Sequence, residues 1–178
     1  MNLLKSDEYP AIFNDYIETI TGDVMEELNE QIESFPEFIA TIPEELGSYR
    51  YADGKWTIKE VLCHIIDCER IMTYRALRFG RNDMTALSPF EQDEFVANGH
   101  FNDRKLSDIA AEFTHLRKAN MYLFNSFDET ELNRKGMASD RLISVRAFLY
   151  IIAGHLNHHV TLLTARYLKD QKLNNDVV

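Results

Sequence analysis

Glycine and proline are scarce in this chain, with seven and four copies among 178 residues. That speaks against a β-rich fold, whose many tight turns need both. Cysteine is scarcer still. Cys63 and Cys68 stand five residues apart in one helical stretch, so they leave it in different directions and cannot bridge each other. Two unpaired thiols fit a reducing, cytoplasmic compartment. Positive charge is in deficit, 19 Lys and Arg against 29 Asp and Glu, for a net charge of -10. A general nucleic-acid surface needs a basic footprint that is missing here. The N-terminus has no apolar segment of the secretory kind. One charge-free run, Ala147 to Ala165, has the length of a membrane span. Its centre reads His155-Leu-Asn-His-His159, however, and those polar groups are costly in lipid. A buried helix of a soluble bundle explains the run better, with no membrane partner.

What is present suits one ordinary globular domain spanning residues 1–178, with a core over about 10–170: 45% of residues are hydrophobic and 27% charged. Four helical patterns stand out. Ile12, Tyr16, Ile20, Val24, Leu28, Ile32 and Phe35 keep a helical period after a polar lead-in, and Pro36 is expected to stop or kink that helix. Thr57-Ile-Lys-Glu60 is a capping box, with Trp56 before it as the hydrophobic staple, and opens a second helix to about Gly80. Leu106, Ile109, Ala110, Phe113, Leu116, Leu123, Phe124 and Phe127 mark a third. A fourth runs from about Ser144 to Leu168, after a polar stretch with Gly136 and a Ser139-Asp140 turn. No convincing alternating strand appears. The expected fold is all-α, a four-helix bundle with long crossover connections. The connection from Asn82 to Arg104 is long enough to carry an element of its own, expected over Phe90 to Val96, and serves either as a lid or as a passive crossover.

The chemistry is concentrated in two helical stretches. His155 and His159 lie one turn apart on a stripe with Phe148, Ile152 and Leu162, which is otherwise apolar, so both imidazoles point inward. His64 shares a stripe with Val61, Cys68 and Ile71. Three converging imidazoles make an all-nitrogen set suited to a divalent transition metal with open positions. The same pattern also suits three core histidines satisfied by local hydrogen bonds. Cys68, one turn after His64, either completes a closed structural site or is a small core residue. A zincin is excluded, because Leu156 stands where H-E-x-x-H requires Glu. Candidate catalytic helpers are His158, otherwise a bundle-edge histidine, and Asp67, otherwise, like Glu69, part of a solvated face or an ion pair. Arg75 and Arg117 lie near inward stripes. They either hold an anionic cofactor or substrate group or, for Arg117, snorkel to solvent.

Trp56 to Arg75, Ser88-Pro-Phe-Glu-Gln-Asp93, and Ser144 to Tyr167 with its core I-A-G-H-L-N-H-H resemble the DinB/YfiT-like family of metal-dependent enzymes. The resemblance implies a four-helix bundle whose metal ligands are His64, His155 and His159. It implies a divalent cation, zinc or nickel before others. Family members with assigned roles include hydrolase-like proteins and thiol-dependent transferases or isomerases that use low-molecular-weight thiols. The expected partner is therefore a small-molecule substrate or such a thiol, and a homodimer is an open expectation. The rival reading is a non-catalytic bundle, metal-stabilised or metal-free, acting in protein interaction.

Overall fold

The computed structural model describes residues 4–169, so the first three residues of the lead-in and the polar tail from 170 on lie outside the described residues. The chain enters by a 3-10 turn (Ala11–Phe13) and the short helix α1 (Asn14–Ile17). The long helices are α2 (Val24–Ala40), α3 (Ile58–Gly80), α5 (Leu106–Phe124) and α7 (Val145–Leu162), with α4 (Gln92–Asn98) and α6 (Glu129–Leu132) in the connections. Around the bundle, α2 packs chiefly against α5 and α7, and α3 against the same two. Helices consecutive along the chain therefore need not be neighbours, which is why the connections are long.

The first helical pattern is two helices, not one. Gly22 and Asp23 break it, and the Asp23 carboxylate caps α2 by accepting from the Met25 and Glu26 backbone N–H groups. Pro36 does not stop α2, which continues to Ala40. The second helix begins as read: Thr57 accepts from the Glu60 N–H, and Glu60 reaches back to the Thr57 N–H at 2.6 Å. The fourth starts at Ser144, whose hydroxyl accepts from the Ala147 N–H, and ends in a π turn over Leu163–Tyr167.

A hairpin also appears where no strand was expected. Strands β1 (Lys135–Ala138) and β2 (Arg141–Ser144) pair antiparallel around Ser139 and Asp140, both at positive φ (52° and 58°). Two such residues make the turn whose twist matches a hairpin. The turn was legible in the sequence. The strands were not, because four residues each are too few to show an alternation. The hairpin ties down the crossover: Leu87 N–H donates to the Met137 carbonyl and Ser139 N–H to the Leu87 carbonyl, both at 2.9 Å.

The core has two apolar halves. One gathers Val24, Leu28, Phe79, Phe124 and Phe148, the other Phe35, Ile39, Leu62, Phe113 and Leu156. A buried polar network links all four long helices. Arg117, fully buried, forms a bidentate pair with Glu69 (Nε–Oε1 2.8 Å, Nη2–Oε2 2.9 Å) and donates from Nη1 to the Leu28 carbonyl and to Gln31 Oε1. Asn120 donates to Glu69. Gln31 donates in turn to the Ala153 carbonyl at 3.0 Å and to Asn157 at 2.8 Å. The network thereby fixes the segment of α7 that carries the histidines.

Candidate metal centre

α3 and α7 each present one inward stripe, and His64 meets His155 and His159 where those stripes face. The ring centroids form a nearly equilateral triangle, with sides of 4.5, 5.0 and 5.1 Å. His155 Nε2 lies 3.1 Å from His64 Nε2 and 3.0 Å from His159 Nε2. All three residues are buried, and their ligand atoms lie within 4.8 Å of one another.

Burial is the main force on their protonation. It holds His64 down to about 4, with the charge of Asp93 pulling weakly upward. It holds His159 at about 3, helped by His64 and His158. His155 is well below its ordinary value for the same reason, with its imidazole neighbours adding to the effect. The rings are therefore neutral near pH 7, the form in which histidine binds metal.

The three residues fit a divalent ion better than they satisfy one another. A neutral imidazole has one N–H and one lone pair, so His155 Nε2 cannot make two good hydrogen bonds to two Nε2 atoms at once. His159 Nδ1 is buried without a hydrogen-bond partner among the described residues. Nitrogen ligands about 2.1 Å from a common ion stand roughly 3.0 to 3.4 Å apart, for angles from square to tetrahedral. Both measured separations lie in that range.

The histidine cluster does not extend to Cys68. Its thiol lies 3.6 Å from both ring nitrogens of His64, and burial pushes it up to about 12. Cys63 is likewise buried, and its thiol is also pushed up to about 12 by burial. Trp56, read as a staple, has its ring 4.7 Å from that of His64.

Of the other sequence candidates, His158 is half-buried beside the site, its ring 5.3 Å from His159. Asp67 turns to Arg70 at 3.5 Å and makes no hydrogen bond to the three histidines among the described residues. Burial raises its carboxyl above the usual range. Arg117 does not snorkel, because its guanidinium is held by Glu69, Leu28 and Gln31. Arg75, 5% exposed, donates from Nη2 to the Ser88 carbonyl at 2.9 Å and to Ser139 Oγ at 3.0 Å.

Two residues at the site were not read from sequence as functional. Tyr16, seen only as part of an apolar stripe, sets its ring 5.3 Å from His155 and 5.1 Å from His158. Burial raises its hydroxyl above the usual tyrosine value. It gets there because α1 packs directly on Gly154: a Cβ at that position would stand 2.1 Å from the Tyr16 carbonyl oxygen. Asp93 lies on α4, and its charge reaches His64. Asp93 was quoted within a motif, but nothing in the sequence indicated how far α4 reaches. The segment that carries it is pinned at both ends, by Leu87 to the hairpin and by Asn102 to the capping box of α3.

The family model of the DinB superfamily matches residues 27–163. No curated protein matches the chain. Among solved structures, the fold is similar to YfiT from Bacillus subtilis, described as "a probable metal-dependent hydrolase with an unusual four-helix bundle topology". The match has a TM-score of 0.71 at 15% identity, covering 98% of this chain and 92% of that one.

Proposed function

The chain belongs to the DinB superfamily, and from the geometry of its histidine cluster we propose that it is a metal-dependent enzyme acting on a small molecule. His64, His155 and His159 hold one divalent cation, zinc or nickel before others. The observation that carries this is the convergence of three buried imidazoles, with His155 Nε2 3.0–3.1 Å from the Nε2 atoms of the other two and no carboxylate bonded to them among the described residues. The bound ion supplies Lewis acidity, making a water or a thiol acidic or polarising a carbonyl. Neither thiol is a rival nucleophile among the described residues, because burial holds both protonated. What its own residues add is orientation and exclusion of water. Trp56 and Tyr16 wall the triad with aromatic rings, and Gln31 fixes the segment of α7 just before His155. His158, whose ring lies 5.3 Å from that of His159, is the candidate to exchange a proton with a reacting molecule beside the triad, with Asp93 on α4 near enough for its charge to act on His64.

Hydrolysis and transfer to a low-molecular-weight thiol both suit such a site. The similarity in fold to a protein described as "a probable metal-dependent hydrolase" supports the first. Two measurements test the reading. Elemental analysis of the protein as purified should find about one divalent metal per chain, lost in His155→Ala and in His159→Ala. Full occupancy in either variant overturns the ligand set. A screen of neutral esters and amides against small thiols, read by thermal shift on the metal-loaded protein, separates the two chemistries. Thiols that stabilise wild type but not His159→Ala indicate thiol transfer. The proposal includes a cytoplasmic, reducing setting and a homodimer, the latter checked by light scattering on the eluting protein.

A further inference from the structure

Arg75 is buried to 5% exposure, and no carboxylate lies within ion-pair reach of it among the described residues. The other two deeply buried arginines are paired, Arg117 with Glu69 and Arg146 with Glu8 and Glu129. A buried cation without a counter-charge is costly, and a fold retains one where something else supplies the anion. Only Nη2 is engaged, by the Ser88 carbonyl and the Ser139 hydroxyl, while the Phe90 ring lies over the guanidinium at 5.7 Å. The Nε–H and Nη1–H groups make no hydrogen bond among the described residues. Those free donors are available to a carboxylate or a phosphate oxygen, and the whole guanidinium supplies the charge that such an anion needs.

Its place relative to the triad follows from the helix. Arg75 comes eleven residues after His64, close to three full turns, so both leave the same face of α3. The rise between their Cα atoms is about 16 Å, and both side chains lean toward the N-terminus, the longer Arg75 further, which leaves the guanidinium somewhat nearer to the His64 ring than that rise. Cys68 lies between them on that face, and its thiol feels the Arg75 charge. The two serines and Phe90 come from the crossover and the hairpin turn, which backbone hydrogen bonds hold together at Leu87. The hairpin and crossover thus hold a cation at the far end of the stripe that carries the metal ligand.

We propose that Arg75, seated by Ser88, Ser139 and Phe90, is the oxyanion subsite of this enzyme, binding the terminal carboxylate or phosphate of a substrate whose reacting group sits at the histidine cluster. The inference rests on the reading of that cluster as a metal site, and it defines the substrate class as a small elongated anion. Arg75 is then a binding residue, separate from the metal ligands.

Calorimetry with three probes tests it: adipate, which carries carboxylates at both ends of a short chain, its neutral diamide, and inorganic phosphate. On the metal-loaded protein, adipate should bind and the diamide should not. Arg75→Gln should weaken adipate about tenfold or more without changing metal content. Arg75→Lys, which keeps the charge without the planar guanidinium, should fall between and provides a folded comparison if the Gln variant does not express. Phosphate should bind metal-free His159→Ala and lose that binding when Arg75→Gln is added. Adipate affinity within about twofold of wild type in both Arg75 variants overturns the subsite, as does equal binding of the diamide. If elemental analysis finds no metal while Arg75-dependent phosphate binding persists, the metal reading has failed and the subsite stands.

Discussion

Removing Glu69 should destabilise the protein far more than removing the pair to which it belongs. Glu69 is 3% exposed and Arg117 fully buried, and the carboxylate accepts two guanidinium bonds and one from Asn120. Glu69→Leu leaves a cation that cannot lose its proton, surrounded by core. Stranding one partner of a buried pair costs about 3–5 kcal/mol. For a domain of this size each kcal/mol is about 2–4 °C in Tm, so the loss should be roughly 6–20 °C. Arg117→Met should cost less, because a stranded carboxylate can take up a proton and keep its bond from Asn120. The double variant Glu69→Leu, Arg117→Met should recover most of the loss, since apolar replacement of a buried pair is often neutral or stabilising. Gln31 Oε1 still loses its donor there, which holds the recovery short of complete. Urea unfolding of the four proteins gives the double-mutant cycle. A Glu69→Leu cost under about 1 kcal/mol, or single-variant costs that simply add, would refute the argument that this layer acts as one buried unit.

The metal-free protein should lose stability in mild acid. The three imidazoles have folded values depressed below the unfolded one, so their contribution is full above about pH 6.5 and is lost as pH falls toward their folded values. On the order of 5 kcal/mol should disappear between pH 7 and 4, seen as a falling urea midpoint after chelation. A flat midpoint over that range contradicts buried neutral histidines. Gly154→Ala should displace α1, because the new Cβ meets the Tyr16 carbonyl oxygen at 2.1 Å. Overpacking of this kind costs about 1–3 kcal/mol, partly offset by the better helix propensity of alanine. Hydrogen exchange should speed up over residues 11–20, and unchanged protection there rejects the close approach. Asp140→Gly, at φ 58° in the hairpin turn, should stabilise by about 0.5–1 kcal/mol through relief of left-handed strain, measured as a raised Tm.

Local chemistry made much of this protein legible in one dimension. Thr57 and Glu60 satisfy each other's backbone groups three residues apart, so the start of α3 needed no tertiary information. The 3.6-residue period alone put His155 and His159 on one inward face, because their spacing is a property of the helix. Tertiary packing decided what those faces meet. His64 is 91 residues from His155, and only the packing of α3 on α7 brings their Nε2 atoms to 3.1 Å. Arg117 and Glu69 lie on different helices, and no pattern within either stretch says that the two charges are buried together. The break at Gly22 and Asp23 was visible as residues but outweighed by an apolar period that runs through it. Whether the chain turns there depends on α1 finding a seat, and that seat is Gly154, some 130 residues away. Period and caps belong to one segment and are written in it. Contacts between segments depend on how the whole chain closes, and they set the tyrosine ring against the histidines, the helix whose aspartate charge reaches His64 and the arginine along the stripe.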